Sequence, residues 1–368
     1  MNKRAFLIVL ALLVFVVPAL AQEATPETTP TEIAPWVCPE GFEGQTLSVY
    51  NWSTYVAEDT IPNFEEACGV TVEYSVYGSN EEMLARLSQG NPGYDIIVPA
   101  DYMIATMIGR DMLQPLDKAN IPNAANLSEA LADPDYDPGN VYSLPYQWGT
   151  MGIGYNITET GEEITSWDQV FNYDGPVAWV DEPRAMFGFA LGVLGLDPNS
   201  SNPDDIAAAR DFLIEHGGNV VAIAADDGQA LLARGDVDIA IEYSGDIFQI
   251  GVDCECEDYQ YALPEPRARL WVDNMAIPYD APNKPLAEAF IDYILHPQVN
   301  ADISNFTAYA SPVQPAIDAN LILPEYLTNP AVYPDPDVLA TAFFTLALPE
   351  VEQVYGDAWD EVKILLGR

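Results

Sequence analysis

The sequence predicts an α/β fold with two lobes, each a mainly parallel sheet flanked by helices. Short β-branched runs alternate with amphipathic helical stretches along most of the chain, a pattern typical of parallel sheets covered on both faces. The alternation stops in a stretch rich in Pro, Asn and Asp at residues 121–142 and then begins again. About 330 residues follow the N-terminal segments, which is too many for one compact core and suits two lobes.

The first lobe is predicted to begin with three strand–helix pairs. The strands are expected at residues 46–52, 70–76 and 95–100, and the helices at 57–68, from Asn80 onward and at 102–110. The side chain of Asn80 is expected to cap the second of these helices.

The second lobe continues the alternation, and a long helix follows it. Strands are expected at 152–155, 177–180, 219–223, 237–243 and 271–278, and helices at 184–194, 204–216, 229–234 and 284–295. The lobes are therefore predicted as 45–149 plus 279–368 and 150–278, with hinge crossings near 149–152 and 274–279. Because open α/β sheets bind ligands at the carboxyl ends of their strands, we expect a ligand cleft between the lobes.

The N-terminal residues predict an exported protein. Residues 1–21 combine a basic start, an apolar run at Ala5–Val17 and small residues at Ala19 and Ala21, which is the pattern of a secretory signal peptide. The apolar run is shorter than the ~20 residues that span a bilayer. Residues 22–44 are predicted to be a disordered linker, because their first part is rich in Thr, Pro and Glu. We expect a soluble monomer in the periplasm or outside the cell.

The formal net charge of −44 limits the classes of partner. An acidic surface repels nucleic acid and anionic membranes and attracts small cations. An acidic surface kept for solubility or for salty surroundings explains the same total, so the placement of particular carboxylates has to carry any argument for a cationic ligand.

The four cysteines favour disulfides, because the chain is expected to be exported. Cys38 precedes the first predicted strand and Cys68 ends the first predicted helix, so both are expected at one edge of a βαβ unit and are predicted to pair. Cys254 and Cys256 could close a tight ring, remain reduced or bind a metal. A Cys-x-Cys pair without a nearby His or third Cys is a poor zinc site, so no metal is expected, and no cofactor motif is present.

Aromatic and acidic side chains lie at the ends of several predicted strands. These residues are Trp52, Ser53 and Tyr55 after the first strand, Tyr102 after the third, Asp181 and Glu182 after residues 177–180, Tyr243 and Asp246 at the end of another strand, and Trp271 and Asp273 at a crossing. Ring faces attract a cation and cover its methylene groups, while carboxylates fix its ammonium groups. The set suits an alkyl ammonium ligand.

Each of these residues also has a purely structural interpretation. A Trp after a strand is more often part of the core, and Asp181 and Glu182 precede a helix that they could cap. Asp246 and Asp273 could cap helices or be solvated. Their shared position around one predicted cleft is what favours a binding site.

Several segments of the chain resemble the polyamine-binding (spermidine/putrescine-binding) proteins of ABC transporters. The matching segments are YNWSTYV (50–56), YSVYGSNEEMLARL (74–87), YDIIVPADYMI (94–104), YSLPYQWGTMGIGYN (142–156), TSWDQVF (165–171), EYSGD (242–246), WVDNMAIP (271–278) and AFIDYILHPQV (289–299). They span most of the chain after the N-terminal segments and follow the family order.

This resemblance implies a two-lobed clamshell of the type II periplasmic-binding-protein kind that closes over a polyamine, together with a membrane permease and an ATPase as partners. It implies an aromatic and polar box of Trp52, Ser53, Tyr55, Tyr102, Tyr243 and Trp271. Glu182, Asp246 and Asp273 would bind the amines, with Asp181 as an additional candidate. Asp246 in Tyr-Ser-Gly-Asp resembles the putrescine-type members more than the spermidine type.

The sequence departs from the family pattern at three positions. Thr54 stands where members often carry an acidic residue, Ala185 stands where a Glu is usual, and Ala100 replaces a small hydroxyl residue. Fewer carboxylates make a fully charged triamine harder to bind, because an uncompensated buried ammonium group costs several kcal/mol. The resemblance therefore leaves the choice between putrescine and spermidine open.

Two other function classes are considered. A binding protein for another solute, such as a sugar, an amino acid or another amine, would share the fold. A glycosidase could pair Asp181 or Glu182 with Asp246. With 57 acidic residues such pairs arise by chance, and no Gly-x-Ser-x-Gly, Cys–His or metal-binding motif accompanies them, so an enzyme is not expected.

Overall fold

Ten strands in the described part of the chain form one sheet. The computed structural model describes residues 33–225, 227–264 and 268–368. The strands are β1 (Thr46–Trp52), β2 (Thr71–Tyr77), β3 (Ile96–Ile97), β4 (Ser143–Asn156), β5 (Val177–Val180), β6 (Val220–Ala224), β7 (Ile239–Tyr243), β8 (Tyr259–Ala262), β9 (Arg269–Ala276) and β10 (Phe343–Phe344). The predicted signal peptide and residues 22–32 of the predicted linker lie outside the described residues.

Fifteen α-helices are described within the same ranges. They are α1 (Thr60–Cys68), α2 (Asn80–Ser88), α3 (Asp101–Gly109), α4 (Ile157–Thr160), α5 (Trp167–Phe171), α6 (Pro183–Val193), α7 (Pro203–His216), α8 (Gly228–Ala233), α9 (Ser244–Cys254), α10 (Lys284–Ile294), α11 (Pro297–Thr307), α12 (Gln314–Asp318), α13 (Pro324–Leu327), α14 (Pro336–Leu339) and α15 (Glu352–Leu366). None of the described helices is long and apolar enough to cross a membrane.

The strand order is β2-β1-β3-β9-β4-β7-β5-β6, with β10 paired to β9 and β8 paired to β4. The strands β2, β1 and β3 are mutually parallel, and so are β6, β5 and β7. The two central strands, β4 and β9, pair antiparallel with each other and with their outer neighbours β7 and β3. The predicted α/β class is confirmed. The two sets of parallel strands are joined in one sheet by the antiparallel pair β4 and β9, which the sequence did not predict.

The register brings the carboxyl ends of both parallel sets toward one short stretch of β9. Ala100, just beyond β3, bridges to Asp273. Tyr243, the last residue of β7, is opposite Met151 of β4, which is itself opposite Arg269. The end of β3 is therefore level with Asp273, and the end of β7, on the far side of β4, is level with Arg269. Trp271 lies midway between these two positions of β9.

Most predicted elements are found within a few residues of their expected bounds, and the largest difference is β4. Residues 152–155 were expected to form a strand, whereas β4 extends over residues 143–156. Pro145 and three glycines interrupt the β-branched pattern of this segment, and the register shifts between Pro145 and Gln147. A strand this rich in Gly and Pro is held by its neighbours on both sides rather than by its own residue preferences.

The start of α2 corrects one predicted cap. Ser79, not Asn80, is the N-cap, and its Oγ accepts a hydrogen bond from the Glu82 backbone N–H. Oε2 of Glu82 accepts a hydrogen bond from the Gly78 backbone N–H just before the cap, so the two side chains bond reciprocally across the start of the helix, much as in a capping box. The side chain of Asn80 is buried and accepts from the Ala100 N–H at 3.1 Å, which ties α2 to the end of β3.

Part of the predicted linker is fixed to the fold. Trp36 packs against Phe64 and Tyr293, and its Nε1 donates to Asp292 at 2.8 Å. Cys38 is joined to Cys68, which confirms the predicted disulfide. The linker prediction therefore does not hold for Trp36 and Cys38, because an aromatic ring with a place in the core and a cross-link outweigh the polar composition around them.

Cys254 and Cys256 also form a disulfide, which selects one of the three states left open by the sequence. Glu255 between them adopts a φ of 52° and ends α9.

Removing the Cys38–Cys68 disulfide should cost more stability than removing the Cys254–Cys256 disulfide. The first closes a loop with a sequence separation of 30 and the second a separation of 2. Loop-closure entropy predicts a loss of about 3 to 4 kcal/mol for paired Cys→Ser substitutions at 38 and 68, against about 1 to 2 kcal/mol at 254 and 256. Urea unfolding of the two double variants measures the difference, and equal losses would contradict it.

Candidate functional site

A small cavity lies where the strand ends meet β9. Eight side chains line it: Trp52, Ser53, Tyr55, Tyr243, Asp246, Trp271, Asp273 and Tyr309. Its empty space, including its opening to solvent, is about 330 Å³.

Seven of the nine residues predicted as ligand-binding line this cavity. They are Trp52, Ser53, Tyr55, Tyr243, Asp246, Trp271 and Asp273. Glu182 and Tyr102 do not line it, and Tyr309 was not predicted. Tyr309 follows α11, beyond Ala308 with its φ of 58°, in a segment where no strand ends. The sequence contains no local signal that Tyr309 belongs to the cavity.

Trp271 and Asp273 enter the cavity from β9, where alternate side chains point to the same face. The facing strand makes room for them at Gly149, which is paired with Trp271. A Cβ atom at Gly149 would lie 2.7 Å from Cζ2 of Trp271 and 3.3 Å from Cδ1 of Tyr309. A residue without a side chain is therefore required for both rings to pack over β4.

Asp246 belongs to the first turn of α9 rather than to the end of a strand, because β7 ends at Tyr243 and the helix begins at once. Tyr309 donates a hydrogen bond from its hydroxyl to Oδ2 of Asp246 at 2.8 Å. This contact depends on Gly245, where a Cβ atom would lie 2.4 Å from the Thr307 carbonyl oxygen and 2.7 Å from Cε1 of Tyr309.

The aromatic side chains form a rigid wall. Trp271 meets Tyr243 and Tyr309 edge to face, with centroids 5.5 and 4.9 Å apart, and Tyr55 meets Tyr309 in the same way at 5.6 Å. Edge-to-face contacts of this kind add about 0.5–1.5 kcal/mol each beyond burial, so the rings are held in place without a ligand.

Asp273 is a buried carboxyl group in a strongly acidic surrounding. Its Oδ2 accepts a hydrogen bond from the Tyr55 hydroxyl at 2.9 Å. Burial raises the pKa of Asp273 well above its usual range, and the nearby carboxyl groups of Asp101 and Glu182 raise it further. The ionised form therefore lacks the compensation that a nearby cation would give it.

A second buried carboxyl group, Asp101, was not predicted. It accepts hydrogen bonds from the backbone N–H groups of Tyr102 at 2.6 Å and Val272 at 3.3 Å, and so links α3 to β9 beside the cavity. Burial raises the pKa of Asp101 to about 7, although the Arg269 guanidinium and both N–H groups act in the opposite direction.

Glu182 is paired with the protein itself. Its Oε2 accepts from the Arg269 guanidinium at 2.7 Å, and its Oε1 accepts from the Tyr243 hydroxyl. It precedes α6 at the N-cap position, but its side chain makes no cap hydrogen bond.

Asp181, the additional candidate, points away from the cavity and contacts α15. It accepts from Trp359 Nε1 at 2.6 Å and lies 3.5 Å from Nζ of Lys363. Asp181 is not among the residues that line the cavity, and its carboxylate holds the C-terminal helix. Glu182, the other carboxylate considered as a partner of Asp246 for glycoside hydrolysis, is paired with Arg269.

Tyr102 contributes to a neighbouring pocket. Its hydroxyl donates to Oε1 of Glu81 at 3.1 Å, and both residues line a pocket that also includes Arg110 and Glu352. Burial, followed by the charge of Glu182, raises the pKa of Glu81 to about 7. In the described ranges, no three His, Cys, Asp or Glu side chains are arranged to hold a metal ion.

The α/β sheet and its acidic, aromatic cavity at opposed strand ends define a protein that binds a small solute. The model of the bacterial extracellular solute-binding protein family matches residues 60–334, and the chain belongs to this family.

Individual members of known identity are similar over nearly the whole chain. The putrescine-binding periplasmic protein PotF of Escherichia coli K12 is 34% identical over 87% of this chain and 92% of its own length. The putrescine-binding periplasmic protein SpuD of Pseudomonas aeruginosa is 32% identical over 88% and 93%. A solved structure, described as a putative spermidine/putrescine ABC transporter from Listeria monocytogenes, superposes with a TM-score of 0.82 at 33% identity, covering 87% of this chain and 99% of that one.

The buried Asp101 should make the ligand-free protein less stable as the pH rises. The unfolded chain titrates this group near 3.8 and the folded chain near 7. Between these values the folded state holds a proton that the unfolded state has lost, so the stabilising contribution is complete below about pH 4 and is lost as the pH rises through about 7.

Urea unfolding of Asp101→Asn between pH 4 and 8 tests this dependence. The variant should lose stability relative to the wild type at pH 4 and regain it progressively toward pH 8. The exposed Asp280→Asn variant serves as the control and should follow the wild-type curve. A difference between Asp101→Asn and wild type that stays constant with pH would contradict the assignment.

Proposed function

We propose that this protein captures a polyamine, putrescine or spermidine, outside the cytoplasm and delivers it to an ABC transporter. The observation that carries the proposal is the pair of buried carboxylates, Asp246 and Asp273, which face one cavity walled by aromatic rings. None of the cavity's described lining residues is basic. The names of the similar proteins from Escherichia coli and Pseudomonas aeruginosa support the same ligand class.

The proposed ligand-binding residues act in two ways. Asp246 and Asp273 bind the ammonium groups, and an opposite charge at about 4 Å contributes ~4 kcal/mol at an effective dielectric near 20. Trp52, Tyr55, Tyr243, Trp271 and Tyr309 cover the methylene chain and attract the cation with ~0.5–2 kcal/mol per ring, and Ser53 adds a polar contact. This combination selects a small alkyl ammonium ligand over a neutral sugar.

The proposal includes the cellular setting. The protein acts as a binding protein and not as an enzyme, it is exported by the signal peptide, and its partners are the membrane permease and the ATPase of the transporter. The lobes 45–149 plus 279–368 and 150–278 close over the ligand by rotation at the crossings in β4 and β9.

A thermal-shift panel tests the ligand class. Putrescine, spermidine and spermine should raise the unfolding temperature of protein from which host ligands have been removed, whereas glucose and glutamate should not. A true ligand at 100 times its Kd adds about 2.7 kcal/mol of stability. The proposal fails if none of the amines produces a shift, or if a sugar or an amino acid alone does so.

Substitution of the two aspartates tests the site. Asp246→Asn and Asp273→Asn should each weaken putrescine binding by about 30-fold, which corresponds to about 2 kcal/mol, because each removes a charged contact from a buried site. Asp181→Asn is the matched control and should change the affinity by no more than about twofold.

Calorimetric titration measures these affinities, and urea unfolding checks the fold. Asp273→Asn should not destabilise the ligand-free protein, since its raised pKa indicates that the buried charge is unfavourable there. Unchanged putrescine affinity in both site variants would remove these residues from the proposed site.

A further inference from the structure

Arg269 is a buried arginine on the same strand as two of the cavity residues. It is 1% exposed, and it precedes Trp271 by two positions and Asp273 by four on β9. Because side chains alternate along a strand, these three side chains lie on one face of β9. Arg269 therefore lies next to Trp271 on this face, on the side away from Asp273.

The guanidinium group is held on several sides. Its NH1 donates to Oε2 of Glu182 at 2.7 Å, and its Nε donates to Oγ1 of Thr345 at 2.9 Å. Glu182 and Arg269 form an ion pair in which the side chains are 9% and 1% exposed. The other oxygen of Glu182 accepts from Tyr243, whose ring lines the cavity. A buried pair with these additional bonds is fixed, because separating it would leave two uncompensated charges.

The pairing changes which carboxylates are available to a ligand. Glu182 follows β5 in the position from which the sequence predicts a contact to an amine, but both of its oxygens are occupied by protein donors. The carboxylates that remain in the cavity wall are Asp246 and Asp273. A ligand that extends past Trp271 toward Tyr243 would meet the ion pair of Arg269 and Glu182. The positive charge of the guanidinium cancels the attraction of the carboxylate, so a third ammonium group would not be bound there.

We propose that Arg269 is an internal cation that takes the place of a ligand ammonium group at Glu182 and thereby limits the site to diamines over triamines. The inference rests on the proposed polyamine-binding function and specifies the ligand class within it. Arg269 occupies the Glu182 carboxylate and repels a further cation by its own charge. It therefore determines specificity without contacting a bound diamine.

Removal of the arginine alone should change the order of preference. In Arg269→Met the Glu182 carboxylate is free to accept an ammonium group, so the affinity for spermidine relative to putrescine should rise by about tenfold or more in calorimetric titrations. Arg184→Met is the matched control, because Arg184 is equally buried but pairs with Glu352 at 3.4 Å and stacks on Tyr355 outside the cavity. This control should leave the ratio unchanged.

Removal of both charges, those of Arg269 and Glu182, gives an independent test. The single variant leaves the Glu182 carboxylate buried without its partner, whereas the double variant does not. Gln at position 182 keeps an acceptor for the Tyr243 hydroxyl, and replacing both members of a buried ion pair is often close to neutral for stability. Glu182→Gln combined with Arg269→Met should bind putrescine within about threefold of wild type and should not show the full gain for spermidine.

The outcomes separate the two proposals. If the wild type binds no amine, the proposed function fails. If it binds amines but the double variant loses putrescine affinity by more than about tenfold, Glu182 binds the diamine directly and the role given to Arg269 is wrong. An unchanged spermidine-to-putrescine ratio in folded Arg269→Met would equally overturn it.

Discussion

The site depends on an imbalance of buried charge. Asp101, Glu182, Asp246 and Asp273 are all less than a tenth exposed, whereas Arg269 is the buried basic group that pairs with one of them. Taking a carboxylate out of water costs several kcal/mol unless a cation or several donors compensate it. The Tyr55 hydroxyl compensates Asp273 only in part. The raised pKa of Asp273 is a consequence of this uncompensated burial. A cation that enters the cavity therefore gains its own contacts and also relieves a cost already present in the fold.

The sheet explains how carboxylates from distant segments reach one point. A parallel strand directs its carboxyl end to one edge only, so two parallel sets can face each other only if something reverses the direction between them. The antiparallel pair β4 and β9 does this, and Trp271 stands on β9 where the ends of β3 and β7 approach. The glycines at 149 and 245 then allow the rings and helix α9 to come close enough to line the cavity.

The features that sequence could predict are those set by local patterns. β1 and β5 have the predicted bounds because they are short runs rich in β-branched and aromatic residues. Most of the aromatic and acidic cavity residues could be identified from their places near predicted strands. What could not be predicted comes from contacts between distant residues. Glu182 is a carboxylate that follows the end of β5, and only the packing of β9 shows that Arg269, 87 positions away, neutralises it. Asp181 is adjacent in sequence but points to α15, and Tyr309 enters from a segment without a strand end.

The same contacts describe how a captured cation could be released. The hydrogen bond from Tyr309 to Asp246 joins residue 309 of one proposed lobe to residue 246 of the other, and the bond from Tyr55 to Asp273 joins residue 55 of the first lobe to β9. Under the proposed division, separation of the lobes would break the bond between Tyr309 and Asp246 and admit water to the carboxylates. Water restores the solvation that burial removed, and the attraction between each carboxylate and the cation falls as the effective dielectric rises. Opening would therefore weaken binding by reversing the burial that makes the cavity attract a cation, so release would need no competing charge.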